Sequence, residues 1–342
     1  MTELQTMLRQ GKLREIAAAG DPIDPMDWLV KAQALIRLGR VNEAMAALDK
    51  LEPANPEQLA RAVTATAEVF QSSGRHMEIG DLFEQGPDHD SLAGEPRARY
   101  LWRKGEYLQM LGDHETAYET LIEALESARG CDLLDIEFCA LETCSDAAMS
   151  SSLDSESEEM ADDAMALTQR LLKESNDPQT LLRAGEFTAY RGDSEDSAEY
   201  FRRALSIAQS SQSLWDEAHV LLGLGRYHEF MVEEEEALMN TRRAMDAFRE
   251  MGALPALLTA VDQYATQLAN LGRLGEALKE LDKVVESSAA QDDAYTLLNI
   301  LGKCCQLCFE ARDYEQGLDY LVRLIEESAA RELRSEERRV GK

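Results

Sequence analysis

A fixed spacing of small and apolar residues runs along the chain. An apolar residue is followed four positions later by a small one, and a second small position comes twelve residues after that. The set occurs as Trp28, Ala32 and Ala44, then as Val63, Ala67 and Ile79, and then as Leu101, Gly105 and Ala117. It returns as Leu181, Gly185 and Ser197, as Leu221, Gly225 and Ala237, as Val261, Ala265 and Ala277, and as Leu301, Cys305 and Gly317. Four residues beyond the second small position stands a bulky apolar side chain, Leu48, Phe83, Leu121, Phe201, Leu281 or Leu321, with Thr241 the exception.

Residues four apart lie on one face of a helix. A gap of twelve holds the end of that helix, a tight turn and the start of another. Small residues on the facing sides let two backbones approach, and the bulky residue one turn on fills the space beside them. The pattern therefore predicts antiparallel helical hairpins. Gly39, Gly74, Gly112, Gly192 and Gly272 stand where a helix C-terminus needs a left-handed residue. Polar and acidic residues follow, as in Gly112-Asp113-His114-Glu115 and Gly192-Asp193-Ser194-Glu195, and suit the first turn of the next helix, where the macrodipole favours negative charge. Composition agrees: 44% of the chain is hydrophobic but only 6% aromatic, and Ala, Leu and Met, all helix formers, supply most of the rest.

On these residues the sequence resembles the tetratricopeptide repeat (TPR) family, whose signature is W-x2-L-G-x2-Y, then A-x3-F, then P, over about 34 residues. The first repeat carries Trp28, Ala32, Leu35, Gly39, Ala44, Leu48 and Pro56. Farther along the spacing lengthens, and Ser197, Ala237, Ala277 and Gly317 are each 40 apart, so the C-terminal half is similar to the longer-helix TPR variants. The resemblance covers about residues 25 to 328. It implies an all-α, right-handed superhelical solenoid, in which hairpins that cannot shield their apolar sides alone stack on their neighbours.

The expected organisation is an N-terminal helical cap over 1–24, a solenoid of about eight hairpins over 25–330 and a tail over 331–342. The cap reads as a short helix, a turn at Gly11 and a partner from Leu13 to Ala18. The fourth hairpin, 131–177, reads as irregular: Met149 occupies the expected small position, and Ser150 to Glu159 reads as a long acidic exposed loop running into a helix N-terminus. Residues 334–342 do not follow the repeat and resemble the translation of a common sequencing-library adapter, so they are expected to be non-native, with the natural C-terminus elsewhere.

The chain's 342 residues include 65 acidic and 35 basic side chains, a formal net charge of −30. That excludes direct nucleic-acid binding by bulk electrostatics, which needs surplus Lys and Arg. The N-terminus lacks the unbroken apolar stretch of a secretory signal, and no run approaches a membrane span. The expectation is a cytoplasmic protein without membrane insertion. Its six cysteines, Cys131, Cys139, Cys144, Cys304, Cys305 and Cys308, fall in two clusters rather than a spread framework of pairs.

Motifs of catalysis are sparse. No phosphate-binding loop is present, and Gly223-Leu224-Gly225 reads as close packing in a first helix. The five histidines are scattered and none forms the i, i+4 pair of a helical zinc site. His89, between Asp88 and Asp90, reads as a solvated loop residue. Cys305 and Cys308 have redox-motif spacing, but thiol activation needs a helix N-terminus, and both occupy packing positions of the repeat. Neither catalytic residue, metal nor cofactor is expected.

TPR proteins generally bind extended or helical peptides on the concave wall lined by their first helices. The solvent side of those helices holds Arg99, Arg103 and Glu106 in the third repeat, Arg183, Glu186 and Tyr190 in the fifth, Arg226 and Glu229 in the sixth, and Lys303 in the last. Arginines on that face suit bidentate pairing with an acidic or C-terminal carboxylate peptide. They equally suit pairing with neighbouring Glu. The Lys and Asn pattern of chaperone-tail-binding TPR domains is absent. The reading is a non-catalytic protein-interaction scaffold, with a peptide-sensing TPR regulator of an effector domain or partner as the alternative.

Overall fold

The computed structural model describes residues 2–9, 12–22, 24–72, 75, 78–192, 194–290 and 294–340. Among them are α-helices, one 3-10 turn at His89–Ser91 and no strand. None of these helices is long and apolar enough to cross a membrane. The chain divides into two compact units, Met1–Gly223 with Ala247–Pro255, and Leu224–Asp246 with Ala256–Lys342.

In the first unit the helices pair in order. Short α1 (Glu3–Arg9) and α2 (Leu13–Ala18) rest on α3 (Pro25–Arg37), where Leu13 and Ile16 bury against Val30 and Ala34. Helix α3 then pairs with α4 (Val41–Leu48), α5 (Pro56–Ser72) with α6 (Ile79–Glu84), α7 (Gly94–Leu111) with α8 (His114–Gly130), α9 (Leu134–Ser150) with α10 (Asp154–Glu174), and α11 (Pro178–Tyr190) with α12 (Ser194–Ser210). First helices of successive hairpins also touch, α3 on α5, α5 on α7, α7 on α9 and α9 on α11. They form one continuous wall. Helix α13 (Leu214–Phe230) begins in this unit, and α14 (Glu234–Met251) ends in it. Helix α15 (Leu254–Asn270) lies in the second unit from Ala256 onward, with α16 (Leu274–Ala290), α17 (Ala294–Glu310) and α18 (Tyr314–Val340), and α17 packs on both α16 and α18.

Close approach explains the small residues. A β-carbon on Gly105 would lie 2.5 Å from Leu121 Cγ, and one on Gly185 would lie 3.2 Å from the Phe201 ring. Where the small residue is polar, it bonds a backbone carbonyl across the hairpin: Ser197 Oγ donates to Gly185 O at 2.8 Å, and Cys305 Sγ lies 3.5 Å from Gly317 O. Thr241, the exception among the bulky positions, is fully buried and accepts a bond from Gln263 Nε2 at 3.1 Å, while Gln267 Nε2 donates to Gly225 O at 3.2 Å. A polar pair of bonds replaces the missing apolar filling.

The fourth hairpin corrects the sequence reading. Helices α9 and α10 are joined by Ser151 to Leu153 alone, and Asp154 to Glu159 are helical. Asp154 and Glu156 lie in the first turn of α10, where the dipole stabilises them. The unit keeps the repeat spacing through Leu141, Ser145, Ser157 and Ala161. Ser145 and Ser157, twelve apart, each donate Oγ to the other's carbonyl at 2.9 Å. Met149, one turn beyond, is exposed. Small positions from Ala117 through Ser157 and Ser197 to Gly317 therefore fall at unbroken intervals of 40.

The turns follow the same interval. Gly112, Ser152, Gly192, Val232, Gly272 and Arg312 all have positive φ, from 61° to 89°. At Val232 the two closing bonds run from its own N–H to Glu229 O at 3.0 Å and from Glu233 N–H to His228 O at 2.8 Å, the pattern of a left-handed helix stop. Gly39 is left-handed as expected. Gly74 lies outside the described residues, as do Gly11, His76 and the last two residues of the tail; 334–340 continue α18.

Candidate functional site

The wall of first helices in the first unit carries a charged network. Arg103 and Glu106, three apart on α7, pair at 2.8 Å. Arg183 on α11 donates from Nη1 to Glu106, from Nε to Glu142 on α9 at 2.6 Å, and from Nη2 to Thr143 Oγ1 at 2.9 Å. These side chains are 21–26% exposed, so the pairs are screened less than surface ones. Trp102 lies beneath both guanidinium groups, with Arg103 4.3 Å and Arg183 5.6 Å from its ring centroid. The indole is 7% exposed, and its Nε1–H has no acceptor among the described residues.

Charge divides unequally within the network. Burial works against ionisation of Glu106, but Arg103 and Arg183 together outweigh it and hold that carboxyl below its usual range. Glu142 has Arg183 alone, and there burial wins and raises its pKa. Burial likewise opposes the Arg103 charge, with Glu106 and Glu68 of α5 overcoming it. Arg37, the last residue of α3, closes onto the starts of later helices: it lies 3.6 Å from Asp177 and 4.0 Å from Asp216, and Ser213 Oγ donates to its carbonyl at 3.2 Å. In the same unit Met251 packs where a side chain on Gly39 would stand.

Three of the expected groove residues, Arg103, Glu106 and Arg183, thus meet directly. Arg99 pairs instead with Glu95 on its own helix at 2.9 Å, Glu186 lies beside Gly223, and Tyr190 is 86% exposed at the end of α11. In the second unit Arg226 donates to Gln263 at 3.3 Å, Glu229 accepts from Gln267 at 3.1 Å and Asn270 at 3.4 Å, and Lys303 pairs with Asp262 at 3.0 Å. Sequence reasoning missed Glu142, Thr143 and Trp102. The signal for Thr143 was the interval of 40 that relates it to Arg103 and Arg183.

The cysteine cluster sits mid-helix in α17 rather than at a helix start. Cys304, Cys305 and Cys308 are buried, and burial pushes Cys304 up to about 12 and Cys308 up to about 11. These thiols fill the repeat's packing positions as small apolar groups. Among the described residues no three His, Cys, Asp or Glu side chains converge as metal ligands.

The sequence matches no protein-family model and no curated protein. Its likeness to known proteins lies in structure. A Rap protein complexed with Competence and Sporulation Factor superposes with a TM-score of 0.52 at 14% identity, over 93% of this chain and 98% of that one. The apo form of the quorum sensor NprR from B. thuringiensis gives 0.50 at 14% identity, over 95% and 94%. A signal-transduction ATPase with numerous domains, carrying a tetratricopeptide repeat sensor, from Pyrococcus horikoshii gives 0.51 at 14% identity; 97% of this chain spans 54% of that one. The successive hairpins and touching first helices of the first unit, together with these superpositions, give the chain the helical-repeat fold of the tetratricopeptide-repeat proteins.

Proposed function

We propose that the protein is a non-catalytic interaction scaffold that binds a peptide or partner segment along its first helices, anchored by a ligand carboxylate at Trp102, Arg103 and Arg183. The observation that carries this reading is the buried Trp102 Nε1–H without an acceptor, set beneath two guanidinium groups. Arginine has five donors, and the bonds of Arg183 to Glu142, Glu106 and Thr143 engage three. A carboxylate adds acceptors at a place already rich in donors. Glu106 and Glu142 hold the arginines in position. Arg99, Glu186 and Tyr190 extend the first unit's surface, and Arg226, Glu229 and Lys303 offer the second unit's polar contacts.

A second reading is a ligand-sensing regulator. It draws support from the solved structures with this fold, one described as a quorum sensor, one as carrying a repeat sensor and one as complexed with Competence and Sporulation Factor. Both readings place a ligand on the first helices.

The test is fluorescence anisotropy with short labelled peptides offered as free acids and as C-terminal amides. The free acid should bind at least ~10-fold tighter, the equivalent of one charge-assisted hydrogen bond. Trp102→Phe, which keeps the ring packing and removes the N–H, should erase most of that preference, as should Arg183→Gln. Equal affinity of acid and amide forms would refute the carboxylate anchor; no binding by any peptide or partner segment would refute the scaffold.

A further inference from the structure

Helix α18 exposes a continuous apolar stripe on the second unit. Tyr314, Leu318, Val322 and Ile325 are 53–59% exposed, and at about 100° per residue all four fall within one quarter of the helix circumference. Glu315, Asp319 and Glu326, all exposed, form the row immediately beside it. On the other margin Leu321 and Leu324 are half-buried. The stripe is therefore bordered by core on one side and by carboxylates on the other.

The repeat identifies what kind of surface this is. Leu278 and Val285 of α16 stand 40 residues before Leu318 and Ile325 and are 3% and 0% exposed. Helix α16 packs on the first helix of the following hairpin, α17. In α8, Leu125 occupies the equivalent of Val285 and is 3% exposed. In α16 and α8, then, the fold buries apolar side chains at these positions. An uncovered row of such residues, rimmed on one edge by polar groups, marks an interaction site.

We propose that this face of α18 docks an amphipathic α-helix of a partner protein, with apolar residues recurring at helical spacing and Lys or Arg along the edge that meets Glu315, Asp319 and Glu326. The acidic row selects the occupant. A second copy of this chain would set carboxylates against carboxylates, on a protein of net charge −30, and like charges across an interface cost affinity. A basic edge pairs with the row and leaves the apolar stripe to supply the burial.

The probe is a labelled amphipathic Leu/Lys helix, compared with a scrambled peptide of the same composition. The native chain should bind the amphipathic peptide at least ~10-fold tighter than the scramble. Leu318→Ser with Ile325→Ser, exposed positions whose loss leaves the core intact, should remove that difference with the far-ultraviolet spectrum unchanged. Glu315→Lys with Asp319→Lys and Glu326→Lys should transfer the preference to a Leu/Glu helix. Equal binding of amphipathic and scrambled peptides would overturn the proposal, as would retained preference in the serine variant. So would a dimer in sedimentation that the serine variant converts to monomer, because the face would then belong to a second copy.

Discussion

Val232 is the sharpest conflict between residue and backbone among the described residues, and relieving it should stabilise the protein. Its φ is +62°, in a region where a β-carbon crowds the following carbonyl at a cost of about 1–2 kcal/mol, felt most by β-branched side chains. The side chain is 77% exposed, so removing it sacrifices little burial. Val232→Gly removes the crowding but gives the unfolded chain extra freedom, a cost of about 0.5–1 kcal/mol. The net gain should be about 0.5–1 kcal/mol. Val232→Asn, which tolerates the left-handed region without glycine's entropy, should gain about 1 kcal/mol. Gly272 supplies the reciprocal control: its φ is +73°, and an added β-carbon would meet nothing within 4 Å. Gly272→Val should therefore lose about what Val232→Gly gains, the backbone strain less the entropy that glycine costs. Equilibrium urea unfolding followed by circular dichroism reads both as midpoint shifts at unchanged slope. A destabilised Val232→Gly, or a neutral Gly272→Val, would refute the strain assignment.

Other consequences can be measured on the same material. Glu106→Gln should cost about 1–2 kcal/mol at neutral pH by loosening two arginines. Because the Glu106 pKa is depressed by Arg103 and Arg183 after opposing burial, its contribution is present above its unfolded pKa of about 4.3 and is lost as pH falls through the lower folded value. Wild-type and Glu106→Gln stability curves should therefore converge on acidification, and a constant gap would contradict the pairing. Gly105→Ala pushes a β-carbon to 2.5 Å from the fully buried Leu121 and should cost about 1–3 kcal/mol by overpacking; recovery of part of that melting loss in the double variant with Leu121→Ala checks the mechanism. In the native state Cys131, the exposed thiol, should react quickly with a disulfide reagent near pH 8, while Cys304 and Cys308 stay protected until unfolding. Fast modification of either would reopen thiol chemistry in α17.

The hairpins were legible because their geometry is local: a turn of helix, a gap of twelve and a left-handed stop all fall within reach of one another in sequence. The hidden elements broke that code while keeping its physics. Ser145 and Ser157 are as small as alanine for helix approach, but Ser157, next to Asp154 and in a run of serines, reads as loop; the exchange of hydroxyl bonds with backbone carbonyls becomes visible only once the helices are placed. Ser152, Val232 and Arg312 mark turns that lack the expected glycine, so the interval of 40 identifies them and residue type does not. Arg183 was visible as a charge on the correct helix face, whereas Glu142, 41 residues away, and Glu106, 77 residues away, were not visible as its partners. That distinction bears on function. A row of arginines suggests open cations, yet here the carboxylates occupy them first, so any acidic ligand competes with Glu106 and Glu142 for the same donors. Binding then depends on what a ligand adds beyond the resident pairs, and the buried Trp102 N–H is the donor those pairs leave unanswered.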